Sequence, residues 1–173
     1  MRASVICEIF NYGVGQRYGT VMHGGRDEPL FLPSCDSLDE IYFRDNFASS
    51  ALHEIAHWCI AGAERRKFID YGYWYKENRT EEEQLQFESL EIRPQALEWI
   101  FSEAAGVRFR VSLDNFERMT EDCFEFRASV REEARNLVPL VNKRASLFLS
   151  DLVSVSGNKE VFLPETFEEM PGC

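Results

Sequence analysis

Among the 173 residues of this chain, the run His53-Glu54-Ile55-Ala56-His57 is the one best suited to chemistry. Its two histidines are four residues apart, about one helical turn, so on a helix both imidazoles leave the same face and can share one metal ion. The Glu directly after the first histidine completes a His-Glu-x-x-His pattern, in which such a carboxylate can activate metal-bound water. The chain has three histidines, and His23 follows no ligand spacing, so a third protein ligand has to be a carboxylate. Glu88 and Glu91 are the best source, because they lie one turn apart on a second long helix and share its polar face. The residues alone leave both candidates open, and they leave the metal open as well. Zinc takes two histidines and a carboxylate plus a water, and hydrolyses peptides. Iron(II) takes the same three as a facial triad with open positions for dioxygen and substrate. Glu54 is the general base in the first chemistry and an orienting group for a ligand or bound water in the second.

These side chains need a helix, and the surrounding pattern predicts one. It starts near Asn46 or Ser49, both good N-caps, and carries the apolar stripe Ala48, Leu52, Ile55, Ala56, Cys59, Ile60 and Ala63, with the two histidines on its rim. Arg65, Arg66 and Lys67 suit its negative end. Upstream, Val5, Ile6, Ile9 and Phe10 predict a first helix within residues 1–18, interrupted by Gly13, Gly15 and Gly19. The runs 29–33 and 40–44 predict short strands, and the prolines bracketing the first suit an edge strand. Residues 71–75 (Tyr-Gly-Tyr-Trp-Tyr) predict a strand or an aromatic wall. Thr80-Glu-Glu-Glu83 has the form of a capping box opening the second long helix. Along that helix Gln84, Glu88, Glu91 and Gln95 make a polar stripe, and Phe87, Leu90, Leu97 and Phe101 an apolar one. Pro94 is expected to kink or divide it, and Gly106 to stop it. Residues 120–138 and 140–154 predict two more helices around Pro139, and the tail from Gly157 reads as mostly irregular. The expected class is α+β: mostly helical with a small sheet and a zincin-like active-site helix, as a single domain over residues 1–173.

Composition narrows the possible partners. Hydrophobic residues make up 45% of the chain and aromatics 13%, a globular balance rather than a disordered one. A formal net charge of −11 repels phosphate backbones, which argues against nucleic-acid binding and favours a basic or cationic partner. No apolar run approaches membrane length, and the N-terminal apolar run is broken by Glu8 without a signal-peptide cleavage site. The five cysteines (7, 35, 59, 123 and 173) form no Cys-x-x-Cys pair. That argues against a disulfide framework or zinc ribbon and for a reducing cytoplasm.

The residues around the motif carry a family resemblance. Residues 51–62 (Ala-Leu-His-Glu-Ile-Ala-His-Trp-Cys-Ile-Ala-Gly), then 70–75, then 86–97 (Gln-Phe-Glu-Ser-Leu-Glu-Ile-Arg-Pro-Gln-Ala-Leu) resemble the elongation factor P hydroxylase family. Residues 27–33 and 112–115 are similar to it too, and the likeness runs in order over about residues 20 to 155. The resemblance implies a metal-dependent monooxygenase, with non-haem Fe(II) and dioxygen, that hydroxylates the lysine of elongation factor P already carrying a β-lysyl group. It implies His53, His57 and Glu88 as metal ligands, with Glu88 in the Gln-Phe-Glu position, and Glu54 as a carboxylate near the metal. It places Asp27, Glu28, Asp70 and Glu91 in matching segments, where acidic side chains would hold the ammonium groups of a lysyl-lysine, with Tyr73 as a wall around its aliphatic carbons. Nothing in the sequence carries a recognisable signature for 2-oxoglutarate. The rival reading of the same motif is a small zinc metallopeptidase of the gluzincin type.

Overall fold

The computed structural model describes residues 1–72, 79–113 and 123–170. Helix α1 (Ala3–Tyr12) and the short α2 (Val14–Tyr18) stand where one interrupted helix was expected. Gly13 separates them because nothing larger fits there: a Cβ would sit 2.5 Å from Asp151 Oδ2 and 2.7 Å from the Ile9 carbonyl oxygen. Strand β1 (Thr20–Arg26) follows, then β2 (Leu30–Leu32) and β3 (Asp39–Arg44). The sheet order is β1-β3-β2, with β3 parallel to β1 and antiparallel to β2. The proline-bracketed β2 is an edge strand, as its sequence suggested. Strand β1 was not anticipated, since Gly24 and Gly25 break its apolar alternation, yet Met22 is buried beside Phe31 and Ile41 of the other strands in the core.

The motif helix α3 spans Ala48–Ile60. Its N-cap is Phe47 rather than Asn46 or Ser49, and no side chain caps it. Its C-terminal end is held firmly. The Cys59 carbonyl accepts from Asn142 Nδ2 at 2.8 Å and from Arg144 Nη2 at 3.0 Å, and the Ala61 carbonyl accepts from Arg66 Nη1 at 2.6 Å and from Arg144. Only Arg66 of the expected basic run thus reaches these carbonyls, because the helix stops at Ile60 and residues 65–67 form a separate turn. Trp58, fully buried, lies under the Arg144 guanidinium and edge-on to Phe10. Leu52, Ile55 and Ala56 are buried in the same core.

Helix α4 (Glu81–Ala105) opens on the predicted capping box and closes on Gly106 in the left-handed conformation, with Val107 N–H bonding back to Ser102. It runs unbroken through Pro94, so the proline neither ends nor divides it. Helices α5 (Cys123–Leu137) and α6 (Lys143–Ser156) flank a short turn at Pro139. The tail is more ordered than expected: Val161 and Phe167 are buried, and Phe167 meets Trp99 edge-on at 5.1 Å. The result is a mostly helical α+β fold. Among the described residues no helix is long and apolar enough to cross a membrane.

The anchorage of α3 gives a test. Arg144→Leu removes two donors from the buried Cys59 and Ala61 carbonyls, and should cost about 1–3 kcal/mol, read as a lower urea midpoint with an unchanged slope.

Candidate metal centre

Helix α3 packs against α4, and the line of contact brings the chemistry together. His53 and His57 leave α3 toward α4, as their four-residue spacing requires, and their Nε2 atoms are 3.0 Å apart. The Glu91 carboxylate of α4 faces both, with Oε1 3.3 Å from His57 Nε2 and Oε2 3.6 Å from His53 Nε2. A first-row metal ion about 2.1 Å from each of three such donors requires donor separations of roughly 3–3.5 Å. The observed separations, with one Glu91 oxygen toward each imidazole, lie close to that requirement, and the donor chemistry (two imidazoles and one carboxylate) is that of a zinc site or an iron(II) facial triad. Among the described residues, His53, His57 and Glu91 are the group whose ligand atoms converge in this way.

Glu88 does not join them. It lies three residues before Glu91, which turns it by about 60° around the helix and sets it about 4.5 Å along the axis. Its Oε1 accepts from Gln84 Nε2 at 3.0 Å. That edge of α4 has another task. Gln84 Nε2 also donates to the Leu113 carbonyl at 3.1 Å, and Gln95 exchanges two hydrogen bonds with the Ser112 backbone at 2.6 and 3.1 Å. The polar stripe therefore splits. Gln84, which also holds Glu88, and Gln95 pin the segment 107–113, while Glu91 faces α3. The carboxylate beside the histidines is that of Glu91, not that of Glu88.

A further acidic residue, Glu98, was not foreseen. Its Oε2 accepts from His53 Nδ1 at 2.9 Å, and its side chain is 8% exposed. The signal was present: Glu98 stands two turns after Glu91 on the same face, inside the apolar run 96–101, where a lone glutamate is costly unless partnered. Glu54, also buried, has no hydrogen-bond partner among the described residues and lines the same cleft as the histidines.

The charges settle accordingly. Burial opposes a charge on His53, yet the hydrogen bond and charge of Glu98, helped by Glu91 and Glu54, raise it to about 10. Burial likewise opposes the Glu91 carboxylate, but His57 and His53 hold it down to about 2. At Glu54 and Glu98 burial wins and both are raised. In the metal-free protein the proton of His53 thus supplies positive charge among these carboxylates.

The donors sit at the floor of a cleft of about 780 Å³. Asp27, Glu28 and Asp70 line it, bringing three expected acidic residues to one cavity. Asp70 has one oxygen committed to the fold, since Oδ1 accepts from the Phe31 amide at 2.8 Å. Asp70 and Tyr71 are both left-handed, with φ of 49° and 58°, at roughly 1 kcal/mol each. The Tyr71 ring offsets this by stacking on Phe31 at 4.4 Å, and it lies parallel to His57 at 6.5 Å. Tyr71 is therefore part of the aromatic wall but belongs to a turn rather than a strand. Tyr73 lies outside the described residues. Arg108 and Arg110, unanticipated, enter the cleft from the outer face of the segment whose inner face buries Phe109 and Leu113.

Comparison with known proteins agrees with the resemblance. The chain matches the protein family described as Elongation factor P hydroxylase over residues 9–166. It is similar to the elongation factor P lysine hydroxylase of Haemophilus influenzae, with 47% identity over 133 residues covering 75% of this chain and 75% of that protein.

Two measurements test the centre. Glu91→Ala should abolish binding of one equivalent of Zn(II) or Fe(II), whereas Glu88→Ala should retain it; the reverse pattern returns Glu88 to the ligand set. The second is pH dependence. His53, raised from 6.5 to about 10, stabilises the metal-free fold below pH 6.5, and that contribution is lost as pH climbs to about 10. The raised Glu54 and Glu98 act in the same direction above their ordinary range. Glu91, lowered to about 2, contributes above pH 4.5 and loses that only toward pH 2. The metal-free melting temperature should therefore fall from pH 6.5 to 10, while the increment given by Zn(II), which needs neutral imidazoles, grows over the same range.

Proposed function

The chain belongs to the elongation factor P hydroxylase family, and from that premise we propose that it hydroxylates a side-chain carbon of the β-lysylated lysine of elongation factor P, using iron(II) held by His53, His57 and Glu91. Membership makes it an oxidoreductase. The observation that carries the finer reading is the convergence of three metal donors in a cleft that Asp27, Glu28 and Asp70 also line. When bound, iron(II) supplies with dioxygen the redox chemistry needed to oxygenate an unactivated C–H bond, which proton-transfer groups alone do not provide. One oxygen atom enters the C–H bond and the other is reduced by two electrons from a cosubstrate, 2-oxoglutarate or another donor.

The chain's own residues account for the rest. A lysyl-lysine is a long aliphatic arm with more than one ammonium group. Asp27 and Glu28, exposed at the cleft, accept hydrogen bonds from those ammonium groups, and Asp70 adds its remaining oxygen. Phe87 and Tyr71 line the path of the aliphatic carbons, and Tyr73 is assigned the same task. Glu54, its carboxyl raised by burial, lies in the same cleft beside the histidines. The net charge of −11 suits a protein partner presenting cations, with neither nucleic acid nor membrane involved. Cys7, Cys35 and Cys59 are free thiols, as a protein acting in the cytoplasm would have.

With zinc in the same donors the site would instead be hydrolytic, with Glu54 as base. Metal replacement separates the two: the hydroxylase gains activity with Fe(II) and none with Zn(II), and the peptidase does the converse. The direct test is the intact mass of lysylated elongation factor P after co-expression with this chain. It should rise by one oxygen atom with the wild type and stay unchanged with Glu91→Ala. An unchanged mass with metal-loaded wild-type protein overturns the reading.

A further inference from the structure

The two imidazoles of the centre are not held alike. His53 Nδ1 donates to Glu98 Oε2 at 2.9 Å. For His57 Nδ1 no acceptor stands among the described residues, and its ring is steadied by the parallel Tyr71 ring at 6.5 Å. Glu98 approaches His53 on the ring edge opposite Nε2, so it cannot share an ion with Glu91 and the two Nε2 atoms. Its carboxylate is nonetheless buried in an apolar stretch of α4 beside Trp99 and Ile100. A carboxylate in such surroundings is costly on its own and needs a partner to justify it. The partner the fold supplies is the back of one metal ligand.

Resting on the metal reading above, we infer that Glu98 is a positioning residue: by accepting the Nδ1 proton of His53 it fixes the tautomer and ring angle that present Nε2 to the metal, and its negative charge makes that nitrogen a stronger donor. Ligand and brace come from one helix. Glu91 and Glu98 are seven residues apart, two turns of α4, which puts both carboxylates on the line facing α3. One rigid element thus supplies a metal ligand directly and orients a second through its back edge, as in carboxylate–histidine–metal arrangements. His57, without such a brace, is the ligand whose hold on the metal depends on ring packing.

The test uses the full chain and redox-inert probe metals. Zn(II) affinity is measured by chelator competition, and the Co(II) visible spectrum reports ligand geometry, for the wild type, Glu98→Gln and Glu98→Ala. The glutamine keeps an acceptor but removes the charge; the alanine removes both. The expected order is wild type tightest, Glu98→Gln about tenfold weaker and Glu98→Ala up to about a hundredfold weaker, with a changed Co(II) spectrum in the alanine variant. Thermal melting of the metal-free proteins separates this from a structural role. Positioning predicts that Zn(II) raises the melting temperature of Glu98→Gln by less than it raises that of the wild type, over and above any change in the metal-free protein. Equal Zn(II) affinity in all three proteins overturns the inference, as does an equal loss of melting temperature with and without metal. Failure of the wild type to bind Zn(II) or Co(II) overturns the metal reading itself.

Discussion

Everything in the cleft depends on one constraint: three buried glutamates, Glu54, Glu91 and Glu98, share the contact between α3 and α4 with two imidazoles. Acidic groups so close together in a medium poorer than water raise one another's energy unless positive charge is placed among them. Without metal the fold answers with protons, which is why His53 keeps its proton so strongly while Glu91 gives its own up. On the proposed reading a divalent cation takes that place, held by His53, His57 and Glu91. The cost of keeping these charges together is met by the apolar packing behind α3, where Trp58, Leu52 and Ile55 are buried.

That packing explains how the geometry stays fixed. The end of α3 is tied to α6 through Asn142 and Arg144, and α4 is tied to the backbone at Ser112 and Leu113 through Gln95 and Gln84. Neither helix can rotate about its axis without breaking these bonds. The acid wall is tied down differently, by a strained turn at Asp70 and Tyr71 that ring stacking on Phe31 holds in place. Donor positions are therefore set by regular helices, and the substrate side of the cleft by loops. This is the usual division between rigid scaffolds and the loops that recognise ligands.

Much of this was legible in the chain. The four-residue spacing of His53 and His57 is a local property, and local properties survive folding. The same holds for the capping box at Thr80, the Gly106 stop and the edge character of β2. What was lost depends on tertiary quantities. Whether Glu88 or Glu91 meets the histidines is decided by how α4 is turned about its axis, and sequence spacing within one helix carries no information on its rotation against another. Glu98 was overlooked because the polar stripe was taken to end at Gln95, whereas an acidic residue inside an apolar run is itself a sign of a buried partner. Strand β1 was hidden by two glycines whose weak strand preference is outweighed by pairing with β3. Pro94 is expected to kink or divide its helix; α4 is not divided there, because the packing on either side carries the helix through.

The bond from the Phe31 amide to Asp70 has a consequence beyond the cleft. Strand β2 is only three residues long and forms one of the two edges of the sheet. An open border with an outward amide invites strands from other molecules to add on, the first step toward intermolecular aggregates. A carboxylate seated on that amide, beside flanking prolines that offer no donors, withdraws the invitation. The chain thereby guards one edge of its sheet with an acid that also lines the cleft.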